Sequence, residues 1–308
     1  PVLVFSYTPP SMAKKLVEFD LTQTVYSCQY AEALSVAAGT TGKKIKVHIK
    51  VDTGMGRLGL LPDRFRSFAP DQNIIANAVS EVEAIASLQH LELEGIFTHF
   101  ATADSQDRSY AKYQFEIFME LLDQLHHAGL EIPVRHTANS AAIINMPETH
   151  LDMVRAGISI YGLFASDEMD KSRVDLKPAM ELKARIIHLK KVPADFKVSY
   201  GVTYETVKPT ILATVPVGYA DGFNRLLSSR GHMLVCGQRA PVVGRVCMDM
   251  TMLDVGNIQD VLLEDEVVIF GKQGDESITV DEIASTLKTI NYEIVSTITD
   301  RVPRIYLR

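Results

Sequence analysis

Four short stretches place chemically able side chains where apolar strands end. Residues 45–49, Ile-Lys-Val-His-Ile, alternate as a strand does and run into KVDTGMGRLG, residues 50–59. Lys50, Asp52 and Arg57 sit there among glycines, which alone make unusual backbone cheap, so the strand ends either in a solvated turn or at a polar ligand. The second stretch is Thr98-His99-Phe100, the third RHTANSAA (135–142), and the fourth MVRAGISIYG (153–162). Each has a bland reading. A lone His99 is more often a satisfied interior histidine, Arg57 a surface arginine, and Asn139 or Ser140 a helix cap. Arg155 resists one, because an unpaired charge inside an apolar run costs several kcal/mol. Four bland readings would all have to hold at one face of the fold. The shared chemistry is anionic. Ser140 and the Gly157-Ile158 backbone can present N–H groups and a hydroxyl to a phosphate, Arg57 and Arg155 supply positive charge, and His99 offers a flat ring for an aromatic ligand.

The elements that must position these residues alternate between strand and helix up to about residue 165. Strands are expected at 2–5, 22–26, 46–51, 93–99, 134–137 and 154–160. Helical patterns lie between them, such as 110–127, where Phe115, Phe118, Leu121, Leu122 and Leu125 form one stripe and Gly129 stands ready to end it. That alternation calls for parallel strands, whose ligands sit at the carboxyl ends. From about residue 175, runs rich in Val, Ile and Thr separated by glycine-bearing turns predict a mostly β second domain: 182–191, 211–217, 233–236, 242–246, 251–255, 267–270 and a closing 302–307. A short helix at 281–287 carries capping-box spacing at Thr279 and Glu282, and polar, acidic residues 166–171 mark a linker. The expected domains are 1–168, holding the ligand, and 169–308.

Composition narrows the class. Of 308 residues, 46% are hydrophobic and 22% charged, as in a soluble globular protein. A net charge of −7 without a basic run argues against nucleic acid, and no stretch approaches a membrane span. Three cysteines without CxxC spacing fit reduced thiols in a cytoplasm. A metal-dependent hydrolase built on His99 and His136 would need HxH or HExxH spacing, which is absent, and Arg155 would repel the metal.

Taken together, KVDTGMGRLG, THFATAD, HTANSAA, RAGISIYGL, VSYGVTY, PVGYADGF, GRVCMDM and DRVPRIY closely resemble bacterial alanine racemases, in that family's order along the whole chain. The resemblance implies a pyridoxal phosphate-dependent cytoplasmic homodimer that interconverts L- and D-alanine for the cell wall. It implies an α/β fold, a (β/α)8-type barrel with six of eight units present, followed by a mostly β C-terminal domain that completes the partner subunit's site. His99 would stack on the pyridine ring, and Arg155 would bond its nitrogen. Ser140, Gly157 and Ile158 would hold the phosphate, with Asn139 nearby. Arg57 would reach the ring oxygen and the substrate carboxylate, oriented by a carbamylated Lys50. Tyr200 would be the acid/base delivered to the partner's site, Met248 would offer its backbone to the substrate, and Asp104, Tyr219, Arg225 and Arg245 would line the entrance. No metal is implied.

Physical chemistry fits these roles. Arginine can donate to a ring nitrogen but cannot hand it a proton, which weakens the cofactor's electron sink and favours proton removal and return over transamination. Racemisation needs acid/base groups on both faces of the α-carbon, and positive charge relayed through Arg155 and His99 would help Tyr200, of ordinary pKa near 10, to ionise. The family's second base, the Schiff-base lysine in a V-K-A-N-A-Y-G-H-G type motif, has no counterpart among these 308 residues. Six strand–helix units instead of eight agree with that gap. The expectation is a chain lacking an N-terminal segment and inactive as it stands; the alternative is a non-catalytic pyridoxal phosphate-binding or scaffold protein. Asp300 replaces a tyrosine that some members carry near the phosphate, and residues 62–80 form a longer connection than usual.

Overall fold

The computed structural model describes residues 1–66 and 77–307, so most of the long 62–80 connection lies outside the described residues. The chain forms two compact units, residues 1–160 with 164–175 and residues 161–163 with 176–308.

In the first unit, β1 (Val2–Val4), β2 (Leu21–Val25), β3 (Ile45–Lys50), β4 (Leu91–Phe97) and β5 (Val134–His136) form one parallel sheet in sequence order. Helices α1 (Ala13–Glu18), α2 (Cys28–Gly39), α3 (Asp63–Arg66), α4 (Ala78–Ala86), α5 (Ser109–His127) and α6 (Ser140–Asn145) alternate with the strands. Strand alternation sorts β3 cleanly. Ile45, Val47 and Ile49 join Leu34, Val82, Phe118, Leu121 and Leu125 in the apolar core between sheet and helices. His48 and Lys50 therefore point to the opposite, inner face, where both are nearly fully buried. Helix α5 ends as its sequence promised: Gly129, at φ +80°, donates to His126 O at 2.9 Å and Leu130 donates to Leu125 O at 3.0 Å, which is a Schellman closure.

The sixth expected strand, 154–160, is not one. It is irregular and passes into a 3-10 turn at Ile158–Tyr161. Arg155 N–H makes one bond to Ala138 O (3.0 Å), and Gly157 N–H goes to the Ser140 hydroxyl (2.7 Å) instead of to a strand ladder. The expected linker is also tied down: Ser166 Oγ donates to Asp104 O at 2.6 Å, and Gln106 N–H donates to Glu168 at 2.7 Å.

The second unit is mostly antiparallel. Its strands are β6 (Leu182–Arg185), β7 (His188–Val192), β8 (Lys197–Val198), β9 (Tyr204–Glu205), β10 (Thr210–Val215), β11 (His232–Val235), β12 (Gln238–Pro241), β13 (Thr251–Asp254), β14 (Glu266–Gln273) and β15 (Glu276–Ile278). One sheet runs β13-β10-β7 and another β12-β11-β14-β15, with β6 also on β14 and β8 paired to β9. Helix α7 (Val280–Leu287) is capped by Thr279, which accepts Glu282 N–H at 3.0 Å; α8 (Asn291–Ser296) follows. Two expected strands fail. Residues 242–246 give only a Val242–Leu253 bridge, because the pairing run stops at Pro241, which lacks an N–H; residues 302–307, interrupted by Pro303, form no strand.

Candidate active site

The loop after β3 is folded around one carboxylate. Asp52 Oδ1 accepts the N–H groups of Gly54, Met55 and Gly56 at 2.8–3.0 Å, and Oδ2 accepts that of Arg57 at 3.0 Å. Asp52 is thereby spent on backbone, leaving the Arg57 side chain exposed and without an ion pair among the described residues. Gly59, at φ +140°, returns the chain so close to Asp52 N that a Cβ would not fit.

Arg155 is the hub of the inner face. Its Nη2 donates to the carbonyls of Thr98 and Thr137, both at 2.9 Å, and lies 3.3 Å from His99 Nδ1; its Nη1 donates to His136 Nδ1 at 2.7 Å. The guanidinium also lies 5.3 Å from the Phe97 ring centroid and 5.9 Å from that of Phe5, and Phe97 stacks on His136 at 4.7 Å. The charge that looked misplaced in sequence is thus satisfied by backbone oxygens at the ends of β4 and β5. Its Nε–H and one Nη1–H remain without an acceptor among the described residues.

Electrostatics follow from burial beside these cations. Burial, then Arg155, pulls His99 down to about 4 and His136 to about 2, so both rings are neutral at physiological pH. Burial, then Arg57, pulls Lys50 down to about 8; its amine lies 5.8 Å from the Phe97 centroid. Arg155 itself, lowered by burial to about 10, stays charged. Lys50, Arg57, His99 and Arg155 therefore form one electropositive cluster at the carboxyl ends of β3, β4 and β5.

Beside it, Ser140 Oγ gathers Gly157 N–H at 2.7 Å and Ser159 Oγ at 3.2 Å. Ile158 is buried, and its N–H has no acceptor among the described residues. Asn139 is the cap of α6, its Oδ1 accepting Ala142 N–H at 3.0 Å, so the bland reading of that residue also holds. The Asp104 carboxylate makes no hydrogen bond or ion pair among the described residues. The sequence reading missed His48, Glu94 and Phe97, and weighed His136 only as a metal ligand. Polar residues recurring every second position in a strand of a parallel sheet, normally apolar on both faces, were the available signal.

The second unit builds its own cluster. Ser199, at φ +63°, holds the turn before Tyr200 by donating to Arg245 O at 2.6 Å. A Cβ at Gly201 would crowd the Arg245 guanidinium, whose Nε is buried without a hydrogen-bond partner among the described residues. Tyr219 N–H and Ala220 N–H donate to the carbonyls of Cys247 (3.1 Å) and Met248 (2.8 Å). Tyr200 and Met248 remain 70% and 55% exposed, Arg225 is exposed as well, and Met248 N–H is free among the described residues. Asp300 is exposed.

A parallel α/β unit with cations and histidines clustered at its strand ends, followed by an antiparallel β unit, defines a barrel-type protein. Residues 1–165 match the alanine racemase N-terminal domain and residues 179–306 the alanine racemase C-terminal domain. The chain belongs to the alanine racemase family. It is 56% identical to the alanine racemase of Desulfosudis oleivorans over 99% of this chain and 77% of that protein, and 48% identical to that of Methanococcus maripaludis over 100% and 79%. Among solved structures, the alanine racemase of Clostridium difficile 630 superposes with a TM-score of 0.90 at 40% identity, covering 100% of this chain and 76% of that one. No described helix is long and apolar enough to cross a membrane.

Proposed function

We propose that this chain serves the racemisation of alanine by pyridoxal phosphate, in a cytoplasmic homodimer with shared active sites that supplies D-alanine to the cell wall. The observation that carries the reading is the Arg155 guanidinium, anchored by Thr98 O, Thr137 O and His136 Nδ1 yet keeping N–H groups to spare beside the neutral His99 ring. Those donors fit an aromatic nitrogen that must remain a bare acceptor, while the Ser140 hydroxyl, Gly157 N–H and the Ile158 N–H, without an acceptor among the described residues, fit a phosphate monoester. Bound there, pyridoxal phosphate supplies the electron-withdrawing ring that acidifies the α-carbon hydrogen of an amino acid.

These 308 residues supply the contacts around it and one of the two acid/base groups. Arg155, unable to give up its proton at neutral pH, keeps the ring nitrogen unprotonated, and the weakened sink favours return of the proton over transamination. Arg57 faces the substrate carboxylate from a loop that Asp52 holds rigid. A neutral fraction of Lys50 can attack carbon dioxide, forming the N–C bond and releasing one proton; the resulting carbamate would orient Arg57. Tyr200 takes or returns the α-proton in the partner's site, and the free Met248 N–H receives the substrate carboxylate. Tyr219, Arg225, Arg245 and Asp104 line the approach. Residues 1–168 are assigned cofactor binding, and residues 169–308 completion of the partner's site.

Subunit mixing tests this. Full-length Tyr200→Phe and Arg155→Ala homodimers should each be inactive. Mixed dimers should recover activity, because one of their two sites then carries both defects and the other carries none. No recovery in verified mixed dimers would place Tyr200 in its own subunit's site.

A further inference from the structure

The inner face of the first unit carries polar groups the reaction does not touch. Arg155 Nη1 meets His136 Nδ1 at 2.7 Å, His136 Nε2 meets His48 Nδ1 at 2.8 Å, and His48 Nε2 faces Glu94 Oε2 at 3.5 Å, which also accepts the Thr22 hydroxyl at 3.2 Å. Direction along this line is not free. A guanidinium only donates, so His136 Nδ1 must accept and its proton must be on Nε2. That proton points at His48 Nδ1, which must also be bare, so the His48 proton is on Nε2 and faces the carboxylate.

Two backbone features exist to make this line. Leu93 and Ile96 pack toward the helices, while Gly95 and Phe97 face inward, so simple alternation would turn Glu94 outward. The pairing of β3 with β4 slips between Val47 and His48, leaving Glu94 as the extra residue of a bulge and its carboxylate on the inner face. Opposite His48 stands Gly95, where a Cβ would lie 2.5 Å from the ring's Cε1.

We propose that Glu94, His48 and His136 are positioning residues that act through Arg155. The Glu94 charge, passed along two neutral imidazoles of fixed tautomer, strengthens His136 Nδ1 as an acceptor and so sets the plane and donor strength of the guanidinium toward the cofactor's ring nitrogen. This rests on the reading of Arg155 as the partner of that nitrogen, and the experiment separates the two. In full-length protein without cofactor, 15N spectra of labelled histidine should show His136 and His48 as Nε2–H tautomers, and Glu94→Gln should shift the His136 Nδ1 resonance, a group it does not touch. Affinity is then measured for pyridoxal phosphate and for its carbocyclic analogue with C–H in place of the ring nitrogen. Glu94→Gln and His48→Leu should each weaken pyridoxal phosphate about tenfold and leave the analogue unchanged. An Nδ1–H tautomer at His136, or an unmoved His136 resonance in Glu94→Gln, overturns the relay. Equal loss for both ligands makes these residues structural only. A relay seen by NMR with no discrimination in wild type between the two ligands overturns the Arg155 reading.

Discussion

Asp52 holds Arg57 by the backbone: its Oδ2 accepts the Arg57 N–H at 3.0 Å while Oδ1 gathers the three preceding N–H groups. The loop is therefore shaped by a carboxylate whose two oxygens are both committed to backbone N–H groups. Asp52→Asn is isosteric, but an amide that keeps Oδ1 in place turns its NH2 toward the Arg57 N–H, donor against donor. Lost charge-assisted bonds of this kind are worth about 1.5–3 kcal/mol each, so stability should fall by roughly 2 kcal/mol. Denaturant unfolding checks that figure. Steady-state kinetics should show a raised KM for alanine as Arg57 loses its placement.

Gly95→Ala tests how tightly the inner face is packed. The added methyl must displace the His48 ring, which is itself only 4% exposed. Overpacking of that sort costs about 1–3 kcal/mol, so the urea midpoint should drop accordingly. Gly42→Ala, at φ +69° but with nothing within 4 Å, should show only the smaller backbone penalty.

Much of this was legible in sequence. Five of six expected barrel strands formed, because β3 and its neighbours carry the apolar alternation that helices can cover. The sixth did not, since the Ser140 hydroxyl captures the Gly157 N–H, a contact between residues 17 apart that no local pattern reveals. The β11–β12 hairpin was half missed for a similar reason. Cys236 (φ +49°) and Gly237 (φ +72°) make a two-residue turn with both φ angles positive, but cysteine is a poor advertisement for it. At the site, Arg155 declared itself by its cost in an apolar run. Glu94 did not, because a bulge breaks the period by which the faces of β4 are read, whereas His48 follows the clean alternation of β3.

Acid should expose the buried imidazoles. His99 drops from 6.5 to about 4, under burial, Arg155, Arg57 and Lys50, and His136 falls further under burial, Arg155 and His48 against a small opposing pull from Asp152. His48 is lowered by burial against Glu94. In this window the unfolded chain binds more protons than the folded one, so stability is complete above pH 6.5 and declines as pH falls toward 4. Unfolding free energies across pH 4–7.5 should show that slope, and His99→Gln should flatten it by one group's share. A slope untouched by the substitution would assign the acid loss elsewhere.

Lys50 titrates in the other direction of interest. With its amine lowered to about 8, a neutral fraction is present at mildly alkaline pH. Protein equilibrated at pH 8 with 13C-bicarbonate should give a protein-bound carbamate resonance, absent in Lys50→Met. The same variant should lower kcat/KM as Arg57 loses its anionic neighbour.

The sharpest chemical prediction concerns reaction choice. In full-length protein, Arg155→Glu replaces a donor that cannot release its proton with an acid that can share one. The ring nitrogen can then be protonated, and the cofactor becomes a stronger electron sink. The variant also deprives His136 Nδ1 of its 2.7 Å donor, so some loss of cofactor affinity will accompany the change. With L-alanine as substrate, D-alanine formation should fall by at least tenfold, while pyruvate, formed as the amino group passes to the cofactor, should rise per turnover. The product ratio is the readout because it is independent of how much enzyme is loaded. An unchanged ratio would mean that Arg155 holds the cofactor without governing the fate of the α-proton.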